Sequence, residues 1–376
     1  MTNNEAFYFL GKCLAIGESE EIKQDVIKTI RQQKVDWDRF VSMASSHLVL
    51  PSVYLRFKKH GILPIIEVEL SDHLLMVYEL NCKRNQEVLA QIDRINRLFA
   101  SEGIVPIYLK GTANLLDHLY EDEGERIIGD IDLLVSETEF LVAANLLKGV
   151  GYDHFHKFHE DMQSDTKHFP RLVHPTEPLD VEVHRSPVET DQATYFNYEV
   201  IRQETKRIET SPHCFVLSDR HKVILNFMHA FMANDVRQMH IITFRNMVDL
   251  LFLSHRVEVY EILAGQAQYA SNALMYFDYL NQAMGLTNKH TPNLRLRIII
   301  WQNKLLRKPI FSLRAVKLLI FLLTQFWIKY VLQIVKSIYN KQIRKSLFYK
   351  ISDPTWYKRH FNWYCENLGL RPGNKR

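Results

Sequence analysis

Between Arg126 and Val135 the chain reads RIIGDIDLLV, with two aspartates one residue apart inside a run of Ile, Leu and Val. A strand turns residues i and i+2 to the same face. Asp130 and Asp132 are therefore expected to project side by side from a mostly buried strand. A buried charge is costly unless it is paired or bound to a metal. Adjacent carboxylates also raise each other's pKa unless a cation lies between them. A divalent metal resolves both problems, and Mg2+ takes a few carboxylates together with phosphate oxygens. The pair points to chemistry on a phosphate.

The segments around it fit that reading. Ile104 to Leu109 has strand character, and Pro106 favours an edge or a strand start. Lys110-Gly111-Thr112 follows and opens a helix-like stretch, Ala113 to Tyr120. A helix N-terminus offers unpaired N–H groups to a phosphate, glycine lets the backbone approach closely, and Thr112 can donate a hydroxyl. After the acidic, looped EDEGE comes the aspartate strand, and then a helix from Glu137 to Lys148. His168 to Val173 and Leu179 to His184 read as two strands of a hairpin. In LDVEVH, alternation puts Asp180, Glu182 and His184 on one face. A third carboxylate beside the first two suits two metal ions about 3.5–4 Å apart, as in-line nucleotidyl transfer uses. Either Asp180 or Glu182 can supply it. Arg126, four residues before Asp130, is positioned to pair with phosphate oxygens or to lie on the surface of the acidic loop.

Helices bracket this core. Asn85 to Ala100 carries an amphipathic stripe, Ile65 to Asn81 reads as a separate helix, and Val223 to Met232 and Phe244 to Leu253 are further helices. The expected organisation is a helical region at 1–100, a catalytic core at 101–215, a helical domain at 216–290 and a basic, mostly helical region at 291–376. The net charge of +4 hides an asymmetry, because residues 301–376 hold 16 Lys+Arg against 2 Asp+Glu. Such a tail is expected to be a solvated face or to meet an anionic partner or a membrane surface. Within it, Ala315 to Val335 is long and apolar but carries Lys317, Gln325, Lys329 and Gln333 on one helical side. It reads as an amphipathic helix, packed on a core or lying on a membrane, rather than a spanning one. Four scattered cysteines without a CxxC pair, and a polar N-terminus without a basic leader, fit a cytoplasmic protein.

Other chemistry fits less well. His154 to His168 is rich in His and Asp, but no tight zinc ligand set completes it. Neither GxxxxGK[ST] nor a GxGxxG after a strand occurs. Arg245 and Asp249, one turn apart, are spaced for a helix ion pair. His229 reads as a packed histidine or a substrate contact.

Taken together, Lys110-Gly111, Arg126, DIDLLV and Glu182-Val183-His184 resemble the polymerase-beta-like nucleotidyltransferase superfamily. They resemble more closely its bacterial family labelled "uncharacterised nucleotidyltransferase". The lead-in from Trp37 to Leu55, and Phe244 to Leu250 with His229 about one helix earlier, fit the same family. The likeness spans roughly residues 35–255. It implies an α+β fold: a polymerase-beta-like core of small mixed sheet and flanking helices, with helical regions on either side. It implies an enzyme that moves a nucleoside monophosphate, AMP from ATP in the first instance, onto a hydroxyl or phosphate and releases pyrophosphate. Asp130, Asp132 and Glu182 would hold Mg2+ or Mn2+ and carry the catalysis. Lys110, Gly111, Thr112 and Arg126 would bind the nucleotide, and Asp180, His184 and His229 are open to the substrate. Relatives near genes for peptide natural products and surface polysaccharides favour a small-molecule, peptide or saccharide acceptor over nucleic acid. Two rivals remain: a binding scaffold that kept the fold, and an RNA-modifying enzyme that grips RNA with the basic tail. The latter predicts binding that falls steeply with salt.

Overall fold

A computed structural model of the chain describes residues 1–154, 166–189, 192–209, 211–232, 242–287 and 294–308, with scattered positions after these, chiefly 331–339. The chain divides into two compact units, Met1–Ile300 and Trp301–Arg376. In the second, a helix covers Leu332–Tyr339. Most of the Ala315–Val335 stretch lies outside the described residues, as does 155–165 of the histidine-rich segment. No described helix is long and apolar enough to cross a membrane.

The first unit is α+β. Helices α1 (Asn3–Leu14), α2 (Glu20–Arg31), α3 (Trp37–Ser46), α4 (Leu50–Lys59) and α5 (Val68–Ala100) lead in. The core follows as β1 (Ile107–Tyr108), α6 (Lys110–Leu116), β2 (Ile131–Leu134), α7 (Phe140–Gly149), β3 (Asp153–His154), β4 (Leu172–Val173) and β5 (Val181–His184). Then come α8 (Tyr198–Arg202), β6 (Thr205–Ile208), β7 (Ser211–Leu217), α9 (Asp219–Phe227) with a π-turn at Met228–Met232, α10 (Phe244–Ser254), α11 (Val259–Ala264) and α12 (Ala270–Met284). The seven strands form one mixed sheet in the order β3-β4-β5-β2-β1-β7-β6. β2 runs parallel to β5, with Asp132 beside Glu182, and antiparallel to β1.

Alternation sorts each strand between two cores. Ile131 and Leu133 of β2, Val135 just after it, Val181 and Val183 of β5, and Tyr108 of β1 join one apolar cluster with Val88, Ile92 and Phe99 of α5. Leu134, Ile107 and Leu217 face the other cluster, built with α1, α4, α9 and α10. Asp132, Glu182 and His184 are the residues in between on β2 and β5, so they look toward α9 and α10. Burying a Leu or Ile side chain contributes about 1.5–3 kcal/mol. The DIDLLV pattern thus anchors its strand on one face and presents acid on the other.

The expected two helices before residue 100 are a single one, the 33-residue α5. Its middle continues because its polar residues have work there. Asn81 Nδ2 donates to the Gly124 and Arg126 carbonyls, Asn85 Nδ2 to those of Glu123 and Arg126, and Arg84 to that of Ile128. The loop ahead of β2 is therefore pinned along the helix. Gly124 is required at this contact, since a Cβ there would come 2.1 Å from Cys82 Sγ.

Candidate functional site

The turn between β1 and α6 is tight. Lys110, the first residue of α6, has a φ of 50°, a region that a side chain rarely adopts. Its ammonium reaches β2, where Nζ lies 2.6 Å from Asp132 Oδ1. Gly111 packs against Arg126, whose guanidinium would be 3.2 Å from an added Cβ. The buried Thr112 hydroxyl donates to the Asp130 carbonyl at 3.2 Å, which ties the start of α6 to the start of β2.

The carboxylates gather at that same end of the sheet. Asp130 directly precedes β2, and Ile131 N donates to Asp180 O at 2.9 Å, so Asp130 and Asp180 sit beside each other as Asp132 and Glu182 do. His184 Nε2 contacts Asp132 Oδ1 at 2.8 Å and Glu182 Oε2 at 3.5 Å. Burial would push both carboxyls up. Lys110 and the His184 hydrogen bond outweigh it at Asp132, and the His184 hydrogen bond does so at Glu182, so both lie below the usual carboxylate range. Asp130 goes the other way. Burial, and then the neighbouring Asp132 charge, push its carboxyl up to about 6.

A residue that the sequence reading did not single out bridges the acids. Arg171 Nη2 donates to Asp130 Oδ2 at 2.8 Å and to Glu182 Oε1 at 2.9 Å, while Nη1 lies 3.8 Å from Asp180 Oδ2. Antiparallel pairing of Leu172 with Val181 brings Arg171 opposite Glu182. The only signal in the sequence is that hairpin register.

Arg126 lies deeper. Its Nε and Nη2 each donate to one oxygen of Asp249, both at 2.8 Å, and Tyr120 also hydrogen-bonds that carboxylate. Burial pushes the Asp249 carboxyl up, against a hydrogen bond from Asn114, and pushes the Arg126 guanidinium down. Asp249 is therefore not paired with Arg245, one turn before it, as their spacing allowed. Arg245 Nε is buried and has no hydrogen-bond partner among the described residues.

Several of these groups line one pocket that is partly open to solvent. Lys110, Gly111, Asn114, Arg126, Asp130, Asp132, His229 and Arg245 contribute to its wall. His229 is neutral there, pushed down to about 3 by burial and the Lys110 charge. Glu182 and His184 are not on that wall, but they stand next to it across β2.

A metal fits the chemistry of these donors. Asp132, Glu182 and His184 offer ligand atoms within 4.8 Å of one another. Asp130 adds a further carboxylate, joined to Glu182 through one Arg171 nitrogen. Two protein cations, Arg171 and Lys110, offset only part of the charge of this cluster. The remaining excess of carboxylate oxygen is what a hard divalent ion binds.

Comparison with known proteins agrees with the geometry. The family model described as uncharacterised nucleotidyltransferase matches residues 33–267. No curated protein and no solved structure matches the chain.

Proposed function

This chain belongs to the uncharacterised nucleotidyltransferase family, and from that membership we propose a metal-dependent enzyme that transfers a nucleoside monophosphate, AMP from ATP, to a hydroxyl or phosphate of its acceptor. One observation carries the reading. Asp130, Asp132 and Glu182 converge from neighbouring strands beside a pocket walled by Lys110 and Arg245.

In this reading the triphosphate lies against Lys110, the Gly111 backbone, Asn114 and Arg245. The acceptor oxygen attacks the α-phosphorus in line. The bond from that phosphorus to the oxygen bridging the β-phosphate breaks, and pyrophosphate leaves. Asp130, Asp132 and Glu182 would hold Mg2+ or Mn2+, which would neutralise phosphate charge and lower the pKa of the attacking hydroxyl. The displaced proton passes to a carboxylate of the cluster. Arg126 acts at one remove: locked on Asp249, it fixes the wall behind Gly111. His184 holds Asp132 in place. The acceptor class that fits best is a small molecule, peptide or saccharide.

The test is incubation with α-labelled nucleoside triphosphates, Mg2+ or Mn2+ and candidate acceptors. Wild type is expected to transfer label and release pyrophosphate, and the Asp130→Ala/Asp132→Ala variant to do neither. Equal transfer by both proteins would sink the proposal.

A further inference from the structure

Arg171 stands out because it is poorly suited to a permanent ion pair and well suited to a temporary one. Its guanidinium meets three acids at once: Asp130, Asp180 and Glu182. Its side chain is 41% exposed, so a path to solvent is open to it. Lys110 differs, with a side chain only 19% exposed and its ammonium bound to Asp132. Asp132 and Glu182 are paired directly across two parallel strands, and like charges so placed are destabilising. Without a cation among them, the acids of this cluster would push β2 and β5 apart at their acidic ends. Yet Arg171 uses Asp130 Oδ2 and Glu182 Oε1, oxygens on two of the carboxylates that would hold a divalent ion. A single charge and a double charge compete for the same acids.

We propose that Arg171 is an exchangeable counter-ion. It holds Asp130, Asp180 and Glu182 together until a divalent metal binds, and the metal then displaces its guanidinium toward solvent. Arg171 is thus a positioning residue that keeps the hairpin folded and lowers the affinity of the cluster for metal. The inference rests on the proposed metal centre and adds to it an internal competitor.

The experiment titrates Mn2+ into the full chain without nucleotide, following free Mn2+ by electron paramagnetic resonance. It compares wild type with Arg171→Met and Arg171→Lys. Losing charge-assisted hydrogen bonds of this kind corresponds to a change of about tenfold to a hundredfold in binding. Arg171→Met is therefore expected to bind Mn2+ that much more tightly than wild type. It is also expected to melt at a lower temperature without metal and to regain the difference when Mn2+ is added. Arg171→Lys, with a charge but no fork, is expected in between. Wild type that binds Mn2+ while Arg171→Met binds it equally or more weakly would overturn the counter-ion and leave the metal centre standing. Failure of wild type and Arg171→Met alike to bind Mn2+ would bring down both. If Arg171→Met does not fold even with Mn2+, Arg171→Lys decides, and an affinity equal to that of wild type overturns the proposal.

Discussion

Arg126 and Asp249 set one acid against one base, fork to fork and almost wholly buried. Asp130, Asp132, Asp180 and Glu182 set four acids against Arg171 and Lys110, in a cluster that opens toward a pocket. The first contact is complete, with each Asp249 oxygen taken by one Arg126 nitrogen. The second has more acid than its own bases can neutralise, so it has a use for another cation. Buried ion pairs are weak evidence of stabilisation in general, but breaking one by removing a single partner is strongly destabilising. The same types of side chain thus serve rigidity in one region and binding in the other.

Substitutions in the two regions should fail in opposite ways. Asp130→Asn is expected to lower label transfer by about 10^3-fold or more, since the several kcal/mol that a metal contributes convert at tenfold per ~1.4 kcal/mol. Its unfolding curve in urea should stay near that of wild type. Asp249→Ala leaves Arg126 charged and unpaired, and should cost about 3–5 kcal/mol in the same urea experiment. If Asp249→Ala were as stable as wild type, the contrast between the two regions would collapse. Arg245→Ala should weaken binding of a nucleoside triphosphate by about tenfold to a hundredfold, as loss of a hydrogen bond to a charged group does. Mn2+ binding in the absence of nucleotide should not change, and a parallel loss there would mean that Arg245 serves the carboxylates instead. The smallest effect is expected for Thr112→Val, which removes the tie to Asp130 O and should cost about 1 kcal/mol.

The site was legible in the sequence wherever its geometry is local. Alternation within DIDLLV and LDVEVH predicts acids on one face and apolar residues on the other, and β2 and β5 divide in that way between the two cores. The turn at Lys110 was legible for the same reason, as a strand, a glycine and a helix in succession. Contacts that depend on pairing between distant segments were not. The Arg126–Asp249 contact joins residues 123 apart, and neither residue's neighbours in sequence point to the other. Arg171 needed the hairpin register, which a Pro-containing HPTEP turn does not specify. The continuity of α5 was hidden because Asn81 and Asn85 look like poor helix residues, and their carbonyl partners lie about 40 positions away. β7, which carries Pro212, extends the sheet by pairing with β1 and β6. That is a tertiary gain which outweighs weak strand composition.

The central claim is that the acids of β2 and β5 and the pocket beside them form a single site for a metal and a triphosphate. Calorimetric titration of an ATP analogue blocked at the bridge between its α- and β-phosphates, with Mg2+ and again with chelator, tests it most directly. The account predicts binding to wild type that requires Mg2+ and is lost in Asp130→Asn, a variant that still melts as wild type does. Binding of equal strength in chelator, or in Asp130→Asn, would contradict it.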